Sequence, residues 1–161
     1  MDKELKLVLN NEMQWSEKWI EYYVKHSQVF RFYEEHANDI RKRLRYGEKV
    51  LMKDRPSVDI YTILLDDKEV GIIKVTPYTD DPAAEINISI LDEFSGQQIA
   101  SKAIKKILDK TSYPEIIGVV YDSNKCEKIM NHIFNKLGFD KKEEFGVTEW
   151  SKRIEKVIKI V

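Results

Sequence analysis

The chain has 161 residues and a mass of 19.0 kDa, the size of one domain, and we expect a single domain over residues 1–161. Hydrophobic side chains make up 42% and charged side chains 34%, with six glycines and four prolines, which excludes disordered, collagenous and low-complexity proteins. The 27 basic and 28 acidic side chains nearly cancel, which argues against broad electrostatic binding to nucleic acid.

The sequence carries no targeting signal that we recognise. Its one cysteine, Cys126, has no intramolecular partner, so a disulfide framework is excluded. No apolar run approaches the roughly 20 residues of a membrane-spanning helix, and none near Met1 resembles a secretory signal. We therefore expect a cytoplasmic protein that binds neither nucleic acid nor membrane.

The first third of the chain reads as one strand followed by two helices. Alternating leucines over residues 5–9 predict the strand. Aromatic residues spaced by three and four predict a helix over residues 12–26, and apolar positions with the same spacing predict a second helix over residues 30–44. Gly47 is the predicted stop of the second helix.

The middle of the chain reads as three strands. Two β-branched, apolar runs, residues 58–65 and 70–75, flank a polar turn and predict an antiparallel hairpin. Residues 84–90 alternate apolar and polar side chains, which predicts a strand with one face of each kind.

The remainder reads as helix, strand, helix and two strands. We predict helices over residues 97–110 and 126–137, the second ending at Gly138, with a strand over residues 115–121 between them. Two further strands are predicted over residues 145–150 and 153–161. The order β-α-α-β-β-β-α-β-α-β-β predicts a mixed α/β (α+β) fold in which helices pack on a mixed sheet.

A candidate anion site lies where the strand over residues 84–90 leads into the predicted helix at residue 97. A helix start presents unpaired backbone N–H groups and the positive end of the helix dipole, and both favour phosphate oxygens. Gly96 and Ala100 are small, so a ligand can approach the backbone closely there.

The same region carries a family resemblance. The strand reads Ala84-Glu85-Ile86-Asn87-Ile88-Ser89-Ile90, and the loop and helix start read Phe94-Ser95-Gly96-Gln97-Gln98-Ile99-Ala100-Ser101-Lys102-Ala103. They resemble the fourth strand and pyrophosphate loop, Arg/Gln-x-x-Gly-x-Gly/Ala, of the GNAT superfamily of acyl-CoA-dependent N-acyltransferases. Asn124 and residues 135–139 resemble that family's closing segment. The resemblance implies a mostly antiparallel sheet of about six to seven strands flanked by about four helices.

Three features depart from the family's pattern. Ser95 stands where the loop has Arg or Gln, and Gln98 stands where it has its first Gly. The loop can still bind through backbone N–H groups, and we expect a helical φ at Gln98. Phe134 stands where many members carry a Tyr that protonates the departing thiolate, and the span from Asn124 to Gly138 is about one helical turn longer than usual.

The resemblance implies an acetyl-CoA-dependent N-acetyltransferase, with acetyl-CoA as co-substrate and no metal. The acceptor is a primary amine of a small molecule or of a protein or peptide. Glu85 is the implied general base, acting through water, because the amine must lose a proton before it attacks. Tyr121 is the candidate acid in place of Phe134, with Ser123 or water as alternatives. The implied cofactor-binding residues are Ile88, Ser89, Ile90, Gly96, Gln97, Gln98, Ile99, Ala100, Ser101 and Asn124, with a backbone N–H near Ile88 to Ile90 facing the thioester carbonyl.

Each of these residues also has a structural interpretation. Glu85, Asn87 and Ser89 share one face of their strand and fit a solvated face equally. Cys126 fits the core of its helix, and the three histidines (His26, His36 and His132) lack metal-binding spacing and fit surface or packing roles.

Two clusters of residues in the first helices have more than one possible role. The basic residues Arg41, Lys42, Arg43 and Arg45 fit a solvated helix end, an acidic substrate or the CoA adenosine phosphate. The dense aromatic residues between Trp15 and Tyr33 fit a core, and some fit the wall of an acceptor site. A CoA-binding sensor without turnover and a protein-interaction module remain the competing functions, and a homodimer is a candidate assembly.

Overall fold

The computed structural model describes residues 3–96, 98–121 and 127–154, with the side chain of Tyr121 left outside the description. Its strands form a seven-stranded sheet in the order β1-β2-β3-β4-β5-β7-β6. Every neighbouring pair is antiparallel except β4 and β5, which are parallel. The predicted mixed, mostly antiparallel fold is therefore confirmed. The strands are β1 Leu5–Leu9, β2 Asp59–Leu65, β3 Lys68–Pro77, β4 Ala83–Ile90, β5 Glu115–Tyr121, β6 Asp140–Glu144 and β7 Val147–Arg153.

The helices follow the predicted order with one subdivision. They are α1 Glu17–Lys25, α2 Ser27–Phe30, α3 Glu34–Arg45, α4 Ile99–Lys110 and α5 Glu127–Lys136, and a short 3-10 turn covers Asp92–Phe94. The helix predicted over residues 12–26 begins only at Glu17, because Gln14 forms an isolated bridge with Leu51. The helix predicted from residue 30 is interrupted at Arg31, whose φ of 52° is left-handed, and it resumes at Glu34.

The last two strands lie earlier in the chain than predicted. The prediction placed them over residues 145–150 and 153–161, but β6 and β7 meet at a turn containing Gly146, whose φ is 71°. All five residues of β6 are charged and exposed, so the strand has no apolar alternation by which the sequence could reveal it. It is held as an edge strand by β7 alone. Residues 155–161 lie outside the described residues.

The sheet has one apolar cluster on each face. Ile73 and Ile86 pack with Ile104 of α4 and Phe134 of α5 on one face, which we call the α4/α5 face. On the other, the α1–α3 face, Ile72 packs with buried residues of α1 and α3, including Trp19, Ile20, Ala37 and Ile40. The two helix layers therefore cover opposite sides of β3 and β4. Among the described residues, no helix combines the length and the apolar character needed to cross a membrane.

The contact between β5 and α5 is especially close at Gly118. A Cβ on Gly118 would overlap the ring of Phe134, which is 3% exposed and lies 4.8 Å from the ring centroid of Phe139. Gly138 follows α5 with a φ of 83°, and its N–H donates to the carbonyl of Asn135, which confirms the predicted helix stop. Glycine at 118 thus permits α5 to lie against the sheet.

This contact yields a stability prediction. We expect Gly118→Ala to lower the free energy of unfolding by roughly 1–3 kcal/mol, because overpacking a filled core forces neighbouring side chains to move. The urea midpoint measures the effect. Phe134→Leu in the same chain removes ring atoms at the point of overlap, so the double variant should lose less stability than the sum of the two single variants. Additive losses would contradict the packing described.

Candidate functional site

The site begins where β4 and β5 part. Their parallel register covers only Ala83 with Glu115, Ala84 with Ile116, and Glu85 with Ile117. Beyond Glu85, β4 continues for five residues to Ile90 and keeps its pairing with β3 throughout. The second half of β4 therefore has no β5 partner among the described residues, which leaves a wedge inside the sheet.

The backbone groups of β4 show which residues face this wedge. The N–H of Leu91 donates to Val70, and the N–H of Tyr78 donates to Ala83, so odd-numbered residues of this strand point their backbone groups toward β3. Backbone direction alternates along a strand, so Ile88 and Ile90 point their N–H and C=O groups toward β5. Their N–H groups are donors, and their C=O groups acceptors, for a ligand that enters between the strands.

A cleft of about 580 Å³ occupies the wedge and reaches the start of α4. Its size is that of a small-molecule or cofactor site. It is lined by residues of α1, α2, β4, β5, α4 and α5, among them Tyr22, Phe30, Ile86, Asn87, Ile88, Ile90, Gly96, Gln98, Ile99, Ala100, Ser101, Val119, Met130, Ile133 and Phe134. The structure thus brings seven of the predicted cofactor-binding residues to one cleft. Gln97 and Asn124 lie outside the described residues.

The loop before α4 differs from the prediction at Gln98. This residue has a φ of 59°, which is left-handed, instead of the helical φ expected, and α4 begins one residue later, at Ile99. Gly96 is also left-handed, with a φ of 80°. Two left-handed residues on either side of position 97 turn the chain sharply into the helix. The family's glycine is the residue type that takes such a φ without strain, which explains why it stands at this position in the motif.

Ser89 is not brought into the cleft. Its side chain points to the α1–α3 face and is 2% exposed, with Oγ 3.0 Å from the hydroxyl of Tyr23, while its register partner in β3 is Ile72. Burial raises the pKa of Tyr23 to about 12, so the phenol stays neutral at physiological pH. The contact fixes α1 to β4 beside the wedge.

Glu85 occupies the last paired position of β4, on the same α1–α3 face as Asn87. Burial raises its pKa, the negative charge of Glu149 raises it further, and a hydrogen bond from Asn87 opposes the increase. Glu149 belongs to β7, and its register partner in β5 is Val119, one of the cleft residues. Glu85 therefore occupies the strand position at which the wedge begins and has a pKa above that of an ordinary glutamate, while its neighbour Asn87, and not Glu85 itself, lines the cleft.

The positions considered for the acid are described only in part. Phe134 lines the cleft and, as a hydrocarbon ring, carries no proton to donate. Tyr121 is the last residue of β5, but its side chain lies outside the described part of the chain, as do Ser123 and Cys126.

Other groups at the cleft were not assigned from the sequence. His26 lines it, and its Nε2 lies 2.8 Å from Asp92 Oδ1, while Lys25 donates to Oδ2 of the same carboxylate at 2.6 Å. These bonds hold the pKa of Asp92 below its usual range. No spacing in the sequence links His26 to a residue 66 positions away.

The basic cluster at the end of α3 is in part engaged in ion pairs, because Arg41 bonds Glu17 at 2.8 Å and Arg43 bonds Glu48 at 2.7 Å.

The sequence of residues 10–140 matches the family model described as "Acetyltransferase (GNAT) domain". The chain belongs to the GNAT acetyltransferase family. It is accordingly an acetyl-CoA-dependent N-acetyltransferase by family, and acetyl-CoA is its co-substrate. In the described part of the chain, no group of three or more His, Cys, Asp or Glu residues could hold a metal ion.

Solved structures share this GNAT fold. The Campylobacter jejuni N-acetyltransferase PseH, in complex with acetyl coenzyme A, is 16% identical and covers 94% of this chain and 100% of its own, with a TM-score of 0.60. An acetyltransferase from Thermus thermophilus is 15% identical and covers 92% of this chain and 96% of its own, with a TM-score of 0.63. The spermidine N-acetyltransferase from Vibrio cholerae is 15% identical and covers 92% of this chain and 93% of its own, with a TM-score of 0.59. No curated protein shows a detectable match to the sequence.

The left-handed Gln98 gives a prediction for this GNAT loop. We expect Gln98→Gly to keep or raise stability, and Gln98→Val to lower it by roughly 1–2 kcal/mol, because a β-branched residue resists a positive φ. Thermal unfolding measures both variants. Acetyl-CoA should bind the glycine variant as tightly as the original chain if the loop binds through backbone groups. A large loss of affinity in that variant would instead assign the binding to the Gln98 side chain.

Proposed function

We propose that this chain transfers the acetyl group of acetyl-CoA to a primary amine of a small molecule or of a protein or peptide. The observation that carries the proposal is the continuity of one cleft from the parted strands β4 and β5 to the start of α4. A thioester fits between the strands and a pyrophosphate fits at the helix start, since both places offer unpaired backbone N–H groups.

The donor site uses the loop and both strands. The proposed pyrophosphate ligands are the backbone groups of Gly96, Gln97, Gln98, Ile99, Ala100 and Ser101. The N–H of Ile88 or Ile90 is the proposed donor to the thioester carbonyl oxygen, on which negative charge develops when the amine attacks. Asn124 stays a proposed cofactor ligand from the family resemblance, and Ser89 contributes through its bond to Tyr23.

The chemistry follows from these positions. The amine nitrogen attacks the carbonyl carbon, a C–N bond forms, the C–S bond breaks, and CoA leaves as a thiolate. Glu85 is the proposed base that takes the ammonium proton, through water. Its raised pKa makes it a stronger base than an exposed carboxylate. The CoA thiol has a pKa near that of Cys, about 8.5, so the thiolate leaves without a proton donor at the position of Phe134. The second proton, which the nitrogen loses as the amide forms, goes to water or to the thiolate, directly or through Tyr121.

A CoA-binding sensor without turnover is the second candidate. Phe134 favours it, because it fills the position at which many GNAT members carry the acid, and it is buried against Phe139 and Trp150. Thiol release over a panel of amines separates the two functions. Binding of acetyl-CoA without release of thiol for any amine would support the sensor.

Donor binding is the first prediction of this proposal. A ligand present at 100 times its Kd stabilises the folded protein by about 2.7 kcal/mol. We therefore expect the unfolding temperature to rise by several degrees with saturating CoA or acetyl-CoA. Dephospho-CoA and adenosine are graded controls, and adenosine should give the smallest shift because it lacks the pyrophosphate. An unchanged unfolding temperature with saturating CoA would contradict the proposed donor site.

The base is tested by Glu85→Gln. We expect kcat to fall by roughly 10²–10⁴-fold, with the shift caused by acetyl-CoA unchanged. The reactive form of Glu85 is the ionised one. As pH drops through the raised pKa of Glu85, kcat/KM of the original chain should therefore fall. The pH profile of Glu85→Gln should lack this fall at low pH. Because burial favours the neutral acid, the variant should unfold at an equal or higher temperature. Asn87→Ala keeps the carboxylate and removes the hydrogen bond that opposes the increase in its pKa, so this variant should retain the fall of kcat/KM at low pH and shift it to higher pH. An unaltered pH profile in Glu85→Gln would exclude Glu85 as the base.

A further inference from the structure

Lys74 is a half-buried cation on the α1–α3 face of the sheet. It belongs to β3 and is the register partner of Asn87 in β4. Its Nζ lies 5.6 Å from the centroid of the Tyr23 ring and 5.9 Å from that of the Trp15 ring. Burial lowers the pKa of its ammonium group, and the charge of Asp54 opposes this change. The side chain is therefore enclosed by α1, by the segment between β1 and α1, and by the segment before β2.

The ammonium group of Lys74 is poorly satisfied where it lies. Its hydrogen bond runs to the backbone carbonyl of Met52 at 3.4 Å, which is long, and among the residues that the structure describes it forms no ion pair. An ammonium group has three N–H donors. A half-buried cation that forms no ion pair costs the folded state free energy, so this arrangement favours any ligand that supplies anionic oxygens.

Lys74 and Glu85 are both neighbours of Asn87 on the α1–α3 face: Lys74 lies opposite it in β3, and Glu85 lies two residues before it in β4. Asn87 lies directly opposite Lys74, lines the cleft, and donates through its side-chain amide the hydrogen bond that reaches Glu85. Diagonal neighbours on one face of a sheet have Cα atoms about 7–8 Å apart, within reach of long side chains. A cation and a carboxylate therefore flank the exposed amide at the wall of the cleft, and the pair matches a ligand that carries both charges.

We propose that the acceptor is an amine that also carries an anionic group, a carboxylate or a phosphate, a few bonds from the reacting nitrogen, and that Lys74 binds this group. The inference rests on the proposed function, because it places the amine toward Glu85. The anionic group lies over β3 against Lys74, and the aromatic rings of Tyr23 and Trp15 close that end of the site. Lys74 thus determines specificity without taking part in the chemical step.

The test compares acceptors that differ only in the anionic group. γ-Aminobutyrate is paired with its primary amide, and O-phosphoethanolamine is paired with ethanolamine, with thiol release as the readout. We expect the original chain to favour the anionic member of at least one pair by roughly tenfold to a hundredfold in kcat/KM. This factor is the contribution expected of a hydrogen bond between charged groups. The pair that shows the preference distinguishes carboxylate from phosphate.

Lys74→Met keeps the length of the side chain and removes the charge. We expect it to abolish the preference through KM for the anionic acceptor and to change kcat/KM for the neutral one by less than about threefold. Lys74→Arg should retain part of the preference, and Lys74→Gln serves in place of the methionine variant should that variant fail to fold. The stabilisation by acetyl-CoA should be the same in all of them, since Lys74 lies outside the donor site.

Four results overturn the inference. One is equal activity of the original chain toward both members of each pair, and another is an equal loss for both members in Lys74→Met. Acetylation of neutral amines or of peptide lysines alone would also remove it while leaving the proposed function intact. Absence of thiol release with every amine, anionic, neutral and peptide, would remove the proposed function and this inference together.

Discussion

The site depends on one constraint, the short parallel pairing of β4 with β5 in a sheet whose other neighbours are all antiparallel. Three residues of β4 have partners in β5, while the strand is paired with β3 along seven residues. Buried backbone N–H and C=O groups carry a cost when they have no partner. The second half of β4 leaves such groups directed toward the wedge, and in the proposed function acetyl-CoA supplies the pairing that the sheet itself lacks. The same parting of the strands creates the cleft and the affinity of its wall for a ligand.

β4 contacts different parts of the molecule with its two faces and its backbone edge, because successive side chains of a strand point in opposite directions. Its apolar side chains, such as Ile86, pack toward α4 and α5, and its polar side chains, Glu85, Asn87 and Ser89, face α1 and the residues before it. The backbone of Ile88 and Ile90 lies in the plane between them. In the proposed function, one short segment of eight residues therefore separates the donor, the acceptor and the core. A substitution that exchanges these faces would damage stability and chemistry together.

The sequence was sufficient for most of the fold because its periodicity is strong. The strand over residues 5–9 and the helix stop at Gly138 are found as predicted. It was insufficient where distant contacts decide the outcome. The bridge between Gln14 and Leu51 delays α1, and the pairing with β7 makes a strand of five charged residues that carry no apolar pattern. In the cleft, the family motif pointed to loop residues at the start of α4 that do line it, and their role in binding the cofactor stays a prediction. Lys74 and the His26–Asp92 pair were not predictable, because only the strand register places Lys74 opposite Asn87, and only the packing of α1 brings His26 to Asp92.

The charged strand β6 has a consequence for the behaviour of the protein in concentrated solution. An edge strand offers unpaired backbone groups to any other strand, and this is a common origin of aggregation. In β6 every side chain from Asp140 to Glu144 is charged and exposed. Stacking of two copies in parallel register would therefore place identical charges opposite each other at all five positions, which is destabilising at each of them. The composition of this edge therefore opposes the addition of a further strand there and growth of the sheet from this side into a fibril.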